Sequence, residues 1–234
     1  QAAAVRPERV QPVDASEEQL AAALPPKSDF EYSKKELVQR RLLPLKTTDK
    51  RAPLIARLVG HLFGDGCLSY SMRKHKSVTS ITFTGTEEDL QDIADDVKKL
   101  GFAVSAITVH HARSQLSNGQ VIEGNTTRMS CYSKPLFALF AALGAPVGEK
   151  TEQEMRVPEW VVSGSKLLQR EFLSAYFGSE MTRPRMQEKG RNFASPAFSL
   201  NKTEEKLEQG VAFVQQIEKL LSHYERGHLP PSHP

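Results

Sequence analysis

From Pro53 onward the apolar residues recur at helical spacing. Leu54, Ile55, Leu58, Val59, Leu62 and Phe63 line one face, and Pro53 sits where a first turn tolerates its missing N–H. Gly64-Asp65-Gly66 must end that helix, and beyond it the period shortens. Cys67–Met72 and Val78–Thr84 alternate as two strands around a tip of Arg73, Lys74, His75 and Lys76. Thr86 then caps a helix with acids in its first turn, which runs to Leu100 and stops at Gly101. Ala103–His110 and Thr126–Tyr132 read as a second hairpin with Asn118-Gly119 in its polar loop, and Lys134–Leu143 as a helix closed by Gly144. Upstream, helical spacing from Ser33 breaks at Pro44.

The order then starts again. Leu167–Phe177 carries an apolar stripe, Thr182–Gln187 and Phe193–Leu200 read as strands, and Thr203 caps a long helix to Tyr224. TFTGTEEDL at 82–90 matches AFSLNKTEEKL at 197–207, with Thr86-Glu87-Glu88 answering Thr203-Glu204-Glu205. A repeat this long is a duplicated domain rather than a solenoid unit. The expectation is an α+β fold of two tandem αββαββα-type repeats related by a pseudo-two-fold axis, the second without its final hairpin and helix. The expected divisions are a poorly ordered low-complexity extension over 1–32, a lead-in helix and first repeat over 33–150, a shortened second repeat over 151–224, and an irregular tail over 225–234.

Composition narrows the function classes. With 39% hydrophobic and 25% charged residues, and a mean hydropathy of -0.43, the chain has no apolar run long enough for a bilayer, which argues against a membrane role. Residues 1–26 lack the blocks of a signal peptide, and two cysteines are too few for a disulfide framework or a zinc site. Cys67 and Cys131 both fall in strand segments and are expected to be buried thiols in a reducing, intracellular compartment. The net charge of +3 matters less than its distribution. No acid lies between Cys67 and Thr86, and from Met181 to Thr203 the basic residues Arg183, Arg185, Lys189, Arg191 and Lys202 face the single acid Glu188. Glu87, Glu88, Asp89, Asp92, Asp95 and Asp96 collect on one helix instead. Basic strands and acidic helices suit a sheet that meets a polyanion.

LVGHLFGDG at 58–66 resembles the motif of the LAGLIDADG homing endonucleases, and FLSAYFGSE at 172–180 resembles a second copy. Aligning Gly60 with Ala175 lays the final acid of the motif on Asp65 and on Glu180. The second copy departs from the pattern with Ala for Gly, Glu for Asp and Met181 for the last Gly. The resemblance implies two motif helices packed side by side, each followed by a sheet that lies on duplex DNA. The small residues Gly60 and Gly64, and Ala175 and Ser179, each four apart, fit such a close approach. It also implies a monomeric, site-specific endonuclease in which Asp65 and Glu180 hold Mg²⁺ or Mn²⁺ for phosphodiester hydrolysis. Lys202, at the end of a strand, is the candidate for a basic residue that polarises solvent at the cut phosphate. Ser69, Ser71, Arg73, Lys76, Thr82, Thr84, Arg113, Arg128, Arg183, Arg185, Lys189 and Arg191 are the candidates for DNA contact. His61 is expected to be packed rather than a ligand, and Trp160 to be core.

Two other readings stand beside this one. The scaffold could have lost cleavage and serve as an intron RNA maturase or a DNA-binding regulator. It could also be the endonuclease part of an intein, since Leu42-Leu43-Pro44-Leu45 resembles the lead-in of such enzymes, although no splicing residues stand at position 1 or at the end.

Overall fold

The computed structural model describes residues 15–115, 121–182, 185–186 and 194–225. The first two helices are α1 (Glu17–Ala23) and α2 (Phe30–Gln39). The expectation of a poorly ordered stretch over 1–32 is therefore corrected from residue 15 onward, and residues 1–14 lie outside the described residues. Ser16 and Gln19 form a reciprocal capping box at the start of α1, and Leu20 is fully buried. α2 begins at Asp29, whose side chain accepts from the Tyr32 N–H, and stops at Gln39, short of Pro44. Arg41 at φ 56° turns the chain out, and the Arg51 guanidinium donates to the freed carbonyls of Arg40 and Arg41.

α3 (Ala52–Phe63) follows, with Pro53 in its first turn, and then β1 (Cys67–Arg73) and β2 (Lys76–Thr84). α4 (Glu87–Lys99) starts at Thr86, whose hydroxyl accepts from the Asp89 N–H, and Gly101 at φ +86° ends it. β3 (Thr108–Gln115), β4 (Val121–Cys131) and α5 (Lys134–Ala142) complete the first repeat. The third strand starts later than expected because residues 103–107 lie beside β4 without a ladder. Ser105 donates its N–H to the Ser130 carbonyl at 2.7 Å and takes the Ser130 N–H on its hydroxyl at 3.0 Å. The four strands form one antiparallel sheet in the order β1-β2-β4-β3. Leu68, Ile81, Phe83, Met129 and Cys131 point to its buried side. Cys67 is only partly covered, so of the two thiols Cys131 alone is buried as expected.

The second repeat consists of the short α6 (Glu159–Val162), α7 (Lys166–Glu180) and α8 (Leu207–Glu225). Trp160 is core as expected, and its indole N–H donates to the Leu143 carbonyl at 2.9 Å. The two strands expected at 182–187 and 193–200 are described only in part, since residues 183, 184, 187 and 193 lie outside the described residues. Their described residues form a sparse hairpin, with a bridge between Met181 and Phe198 and main-chain bonds from Thr182 to Ala197 and from Ala194 to Arg185. In the first repeat β2 is held on its other side by β4; here no such strand is present among the described residues, and a lone two-stranded ribbon is marginal.

α8 shows the same lack from the other side. Leu207, Val211 and Val214 occupy the places of Leu90, Ala94 and Val97 in the aligned repeats. Those of α4 are 0%, 3% and 0% exposed beneath the sheet, while those of α8 are 59%, 51% and 37% exposed. The face of α8 toward α7 is filled: Phe213 stacks on Phe63 at 5.9 Å and meets Tyr176 edge-on at 5.7 Å. Thr203 is not a side-chain cap. Its hydroxyl and N–H both donate to the Thr151 carbonyl, and a 3₁₀ turn precedes α8.

Candidate active site

α3 and α7 run parallel and touch through their smallest residues. A Cβ added at Gly60 would collide with the Phe172 carbonyl oxygen and stand 3.0 Å from the Ala175 Cβ; one at Gly64 would stand 2.5 Å from the Ser179 Cβ. The four small residues expected at the interface therefore do meet there, Gly60 with Ala175 and Gly64 with Ser179. Phe63 and Phe172 lock the lower half of the seam at 5.2 Å. Each helix ends at the same level: Asp65 lies just past α3 and Glu180 is the last residue of α7.

The two carboxylates sense one another. Burial raises the Glu180 pKa above the usual carboxylate range, the Asp65 charge raises it further, and the Lys150 charge opposes both. Burial also raises Asp65, again against Lys150. Asp65 reaches solvent at the rim while Glu180 is half-buried, so the pair forms the edge of an open site rather than a sealed pocket. Two carbonyl-rich helix ends add negative potential at the same point.

Lys150 is the residue that sequence reasoning missed. Its amine donates to the carbonyls of Gly64 and Phe63, the latter at 3.4 Å, and so occupies the C-terminal end of α3. Burial lowers its pKa, while Glu180, Cys67 and Asp65 raise it and Lys202 lowers it. Nothing in the sequence pattern marks it, since it stands in a short 3₁₀ turn (Lys150–Glu152) between the repeats and far along the chain from Asp65. Lys202 lies one step further out. Its amine donates to the carbonyls of Lys150 and, at 2.8 Å, Gln153 rather than pointing at the carboxylates.

Tyr176, one turn before Glu180, is fully buried, with a hydroxyl that has no hydrogen-bond partner among the described residues. Burial, followed by the Glu180 charge, raises its pKa. His61 holds the same motif position on α3. It packs edge-on against Phe83 at 6.5 Å, as expected, and burial with the Arg57 charge lowers its pKa to about 4.

The solvent side of the sheet is continuous with this site, because Cys67 begins β1 two residues after Asp65. The register aligns Ser69 with Ser80, Ser71 with Val78, Arg73 with Lys76, Cys67 with Thr82, and Thr84 with Arg128. Ser69, Ser71, Arg73, Lys76, Thr82, Thr84 and Arg128 therefore share one face. Ser80, Thr82 and Ser130 link hydroxyls across it at 3.0 and 3.1 Å, and Arg128 donates to His110 Nδ1 at 3.1 Å. An arginine only donates, so His110 Nδ1 accepts and its Nε2–H serves Thr108 at 2.9 Å. Arg113 is a correction: register places it on the other side of the pleat, beside Glu123, with which it pairs at 3.1 Å. Arg185 is exposed near the second hairpin, and Arg183, Lys189 and Arg191 lie outside the described residues. Among the described residues no helix is long and apolar enough to cross a membrane, and no cluster of three or more His, Cys, Asp or Glu side chains forms.

No family model matches the chain. It is 34% identical over 193 residues to the DNA-directed RNA polymerase subunit Rpo1N of Methanocaldococcus jannaschii, a match spanning 81% of this chain and 14% of that protein. It is 32% identical over 210 residues to the tRNA-splicing ligase RtcB of the same organism, covering 84% of this chain and 21% of the ligase. Its replication factor C small subunit matches at 29% over 177 residues, 76% of this chain and 9% of that subunit. The chain thus spans about a fifth or less of each of these relatives. Among solved structures, the homing endonuclease I-WcaI bound to its DNA recognition sequence superposes with a TM-score of 0.40 at 15% identity, over 75% of this chain and 67% of that one, too loose a likeness to assign the fold.

Proposed function

We propose that the chain is the DNA-cutting module of an intein-type mobile element, a LAGLIDADG endonuclease that grips a long duplex with its sheet and cuts it with Asp65 and Glu180. The observation that carries this reading is the paired ends of α3 and α7, where two motif acids interact beside one half-buried lysine. The relatives support the mobile element. One stretch recurs within a polymerase subunit, a ligase and a replication factor, proteins of unrelated activity that are each several times longer. A segment carried inside unrelated hosts has a function of its own, so none of the host activities is assigned to this chain.

The donor set fits a hard divalent cation. Two carboxylates whose charged forms burial and mutual repulsion disfavour are relieved by Mg²⁺ or Mn²⁺, and water and phosphate oxygens would fill the remaining positions. Bound there, the ion would supply Lewis-acid stabilisation of the phosphate oxygens. The side chains do the rest. Asp65 and Glu180 fix the position of the scissile phosphate relative to the seam. The Lys150 amine, held on the α3 carbonyls, brings a positive charge to the phosphate or its attacking water. The polar face from Arg73 to Arg128 reads base edges and phosphates in the groove.

The test is incubation of the purified chain with a pool of randomised duplexes in Mg²⁺, against EDTA, with recovery of cut ends. Metal-dependent double-strand cutting at a recurrent long site, abolished in Asp65→Asn, is expected. Cutting that persists in Asp65→Asn rejects the site; tight binding without any cutting in Mg²⁺ or Mn²⁺ selects the binding-protein reading instead.

A further inference from the structure

Lys202 and Lys150 form a relay that links the two repeats. Lys202 follows the second, sparse hairpin, yet its amine reaches back to the inter-repeat turn and donates to the carbonyls of Lys150 and Gln153. These carbonyls flank the 3₁₀ turn that carries Lys150, so one ammonium ties down both of its ends. Thr203 reinforces the tie by donating its N–H to the Thr151 carbonyl at 3.1 Å. The path for the lysine stem is made by Gly210 on α8: a Cβ there would stand 2.9 Å from the Lys202 Cγ. From the far side of the same turn, Lys150 reaches the Gly64 carbonyl next to Asp65.

We propose that Lys202 is a positioning residue, which holds the Lys150 turn so that the Lys150 amine stays on the end of α3 beside Asp65 and Glu180. This assigns Lys202 a different task from the solvent-polarising one that its place at a strand end suggests. It is Lys150, not Lys202, whose charge acts on Asp65 and Glu180, so the effect of Lys202 on the site passes through Lys150. The inference rests on the nuclease reading for its kinetic consequence but not for its structural one.

The experiment therefore has an arm that needs no activity. Wild type, Lys202→Met, Lys202→Arg and Gly210→Ala are treated with a limiting amine-acetylating reagent, and the modification rate of Lys150 is followed by mass spectrometry. Lys150 should be modified severalfold faster in Lys202→Met and in Gly210→Ala and be protected again in Lys202→Arg, whose guanidinium can serve the same two carbonyls. Gly210→Ala guards against a folding artefact, because alanine favours α8 while displacing the lysine stem. On a cleavable duplex, Lys202→Met should lower the maximal cutting rate on the order of 10- to 100-fold with little change in DNA affinity, and should add nothing in a Lys150→Met background. Unchanged Lys150 modification in a folded Lys202→Met protein overturns the proposal, as do additive losses in the double variant. If no duplex is cut by wild type, the modification arm still decides the positioning role, and only the nuclease reading fails.

Discussion

Gly60 and Gly178 offer the same chemical change in two settings, on the two helices whose contact builds the site. Replacing a helical glycine with alanine stabilises the helix by about 1 kcal/mol in an open setting, because the unfolded chain loses freedom and the folded one loses nothing. Gly178 is in that setting, with nothing within 4 Å of an added Cβ. Gly60 is not. Its Cβ would meet the Phe172 carbonyl carbon at 3.1 Å and the Ala175 Cβ at 3.0 Å. The carbonyl belongs to the α7 main chain and cannot rotate away, so the helices must part. Forced overpacking costs about 1–3 kcal/mol, which reverses the gain. Urea titrations followed by circular dichroism should raise the midpoint for Gly178→Ala and lower it for Gly60→Ala, a gap of about 2 kcal/mol at unchanged m. Gly60→Ala should also cut DNA more slowly, since the parted helices carry Asp65 away from Glu180. Equal stabilities for the two variants would refute the close approach of α3 and α7.

The remaining predictions concern charge. His61 has its pKa depressed by burial from 6.5 to about 4, so the unfolded chain takes the proton first. Its contribution is complete above pH 6.5, is lost as pH falls toward 4 and levels off below; stability should drop by about 3 kcal/mol across that window, and the drop should shrink in His61→Gln. Arg128→Ala should weaken duplex binding and reduce its salt dependence by about one counterion, whereas Arg113→Ala, on the other side of the pleat, should leave both unchanged in a fluorescence anisotropy titration. Lys150→Met should lower the cutting rate by about 10²-fold or more with DNA affinity nearly intact, read by single-turnover kinetics; a change confined to affinity would remove Lys150 from the site.

The motif helices, the first hairpin and its capped helix were legible because each depends on neighbours in sequence. Apolar spacing from Leu54 to Phe63, the Thr86 cap and the alternation along Val78–Thr84 are local signals, and the structure places all three as read. The seam was legible from residue size, since Gly60, Gly64, Ala175 and Ser179 are small enough to announce a close approach. α1 was hidden by an Ala- and Pro-rich stretch, and only the Ser16–Gln19 box, combined with a buried Leu20 supplied by the tertiary packing, makes it a helix. The described part of the second repeat's hairpin pairs only sparsely for the reverse reason: its alternation is present, but a two-stranded ribbon needs further strands or a packed face to be stable, and that requirement is not written in the strand itself. Lys150 was invisible because its role comes from a turn that folds back on the end of α3. Arg113 was misplaced because the expected strand ended at His110 and left it in a loop, whereas β3 runs on to Gln115 and its pairing with β4 fixes the face.

Electron paramagnetic resonance of Mn²⁺ in the presence of a duplex recovered from the randomised pool asks most directly whether the two acids share one ion. Wild type should take up Mn²⁺ at the protein–DNA interface, and Asp65→Asn and Glu180→Gln should each abolish that uptake while still binding the duplex. Retention of the bound Mn²⁺ in either single variant would contradict a shared site at the ends of α3 and α7.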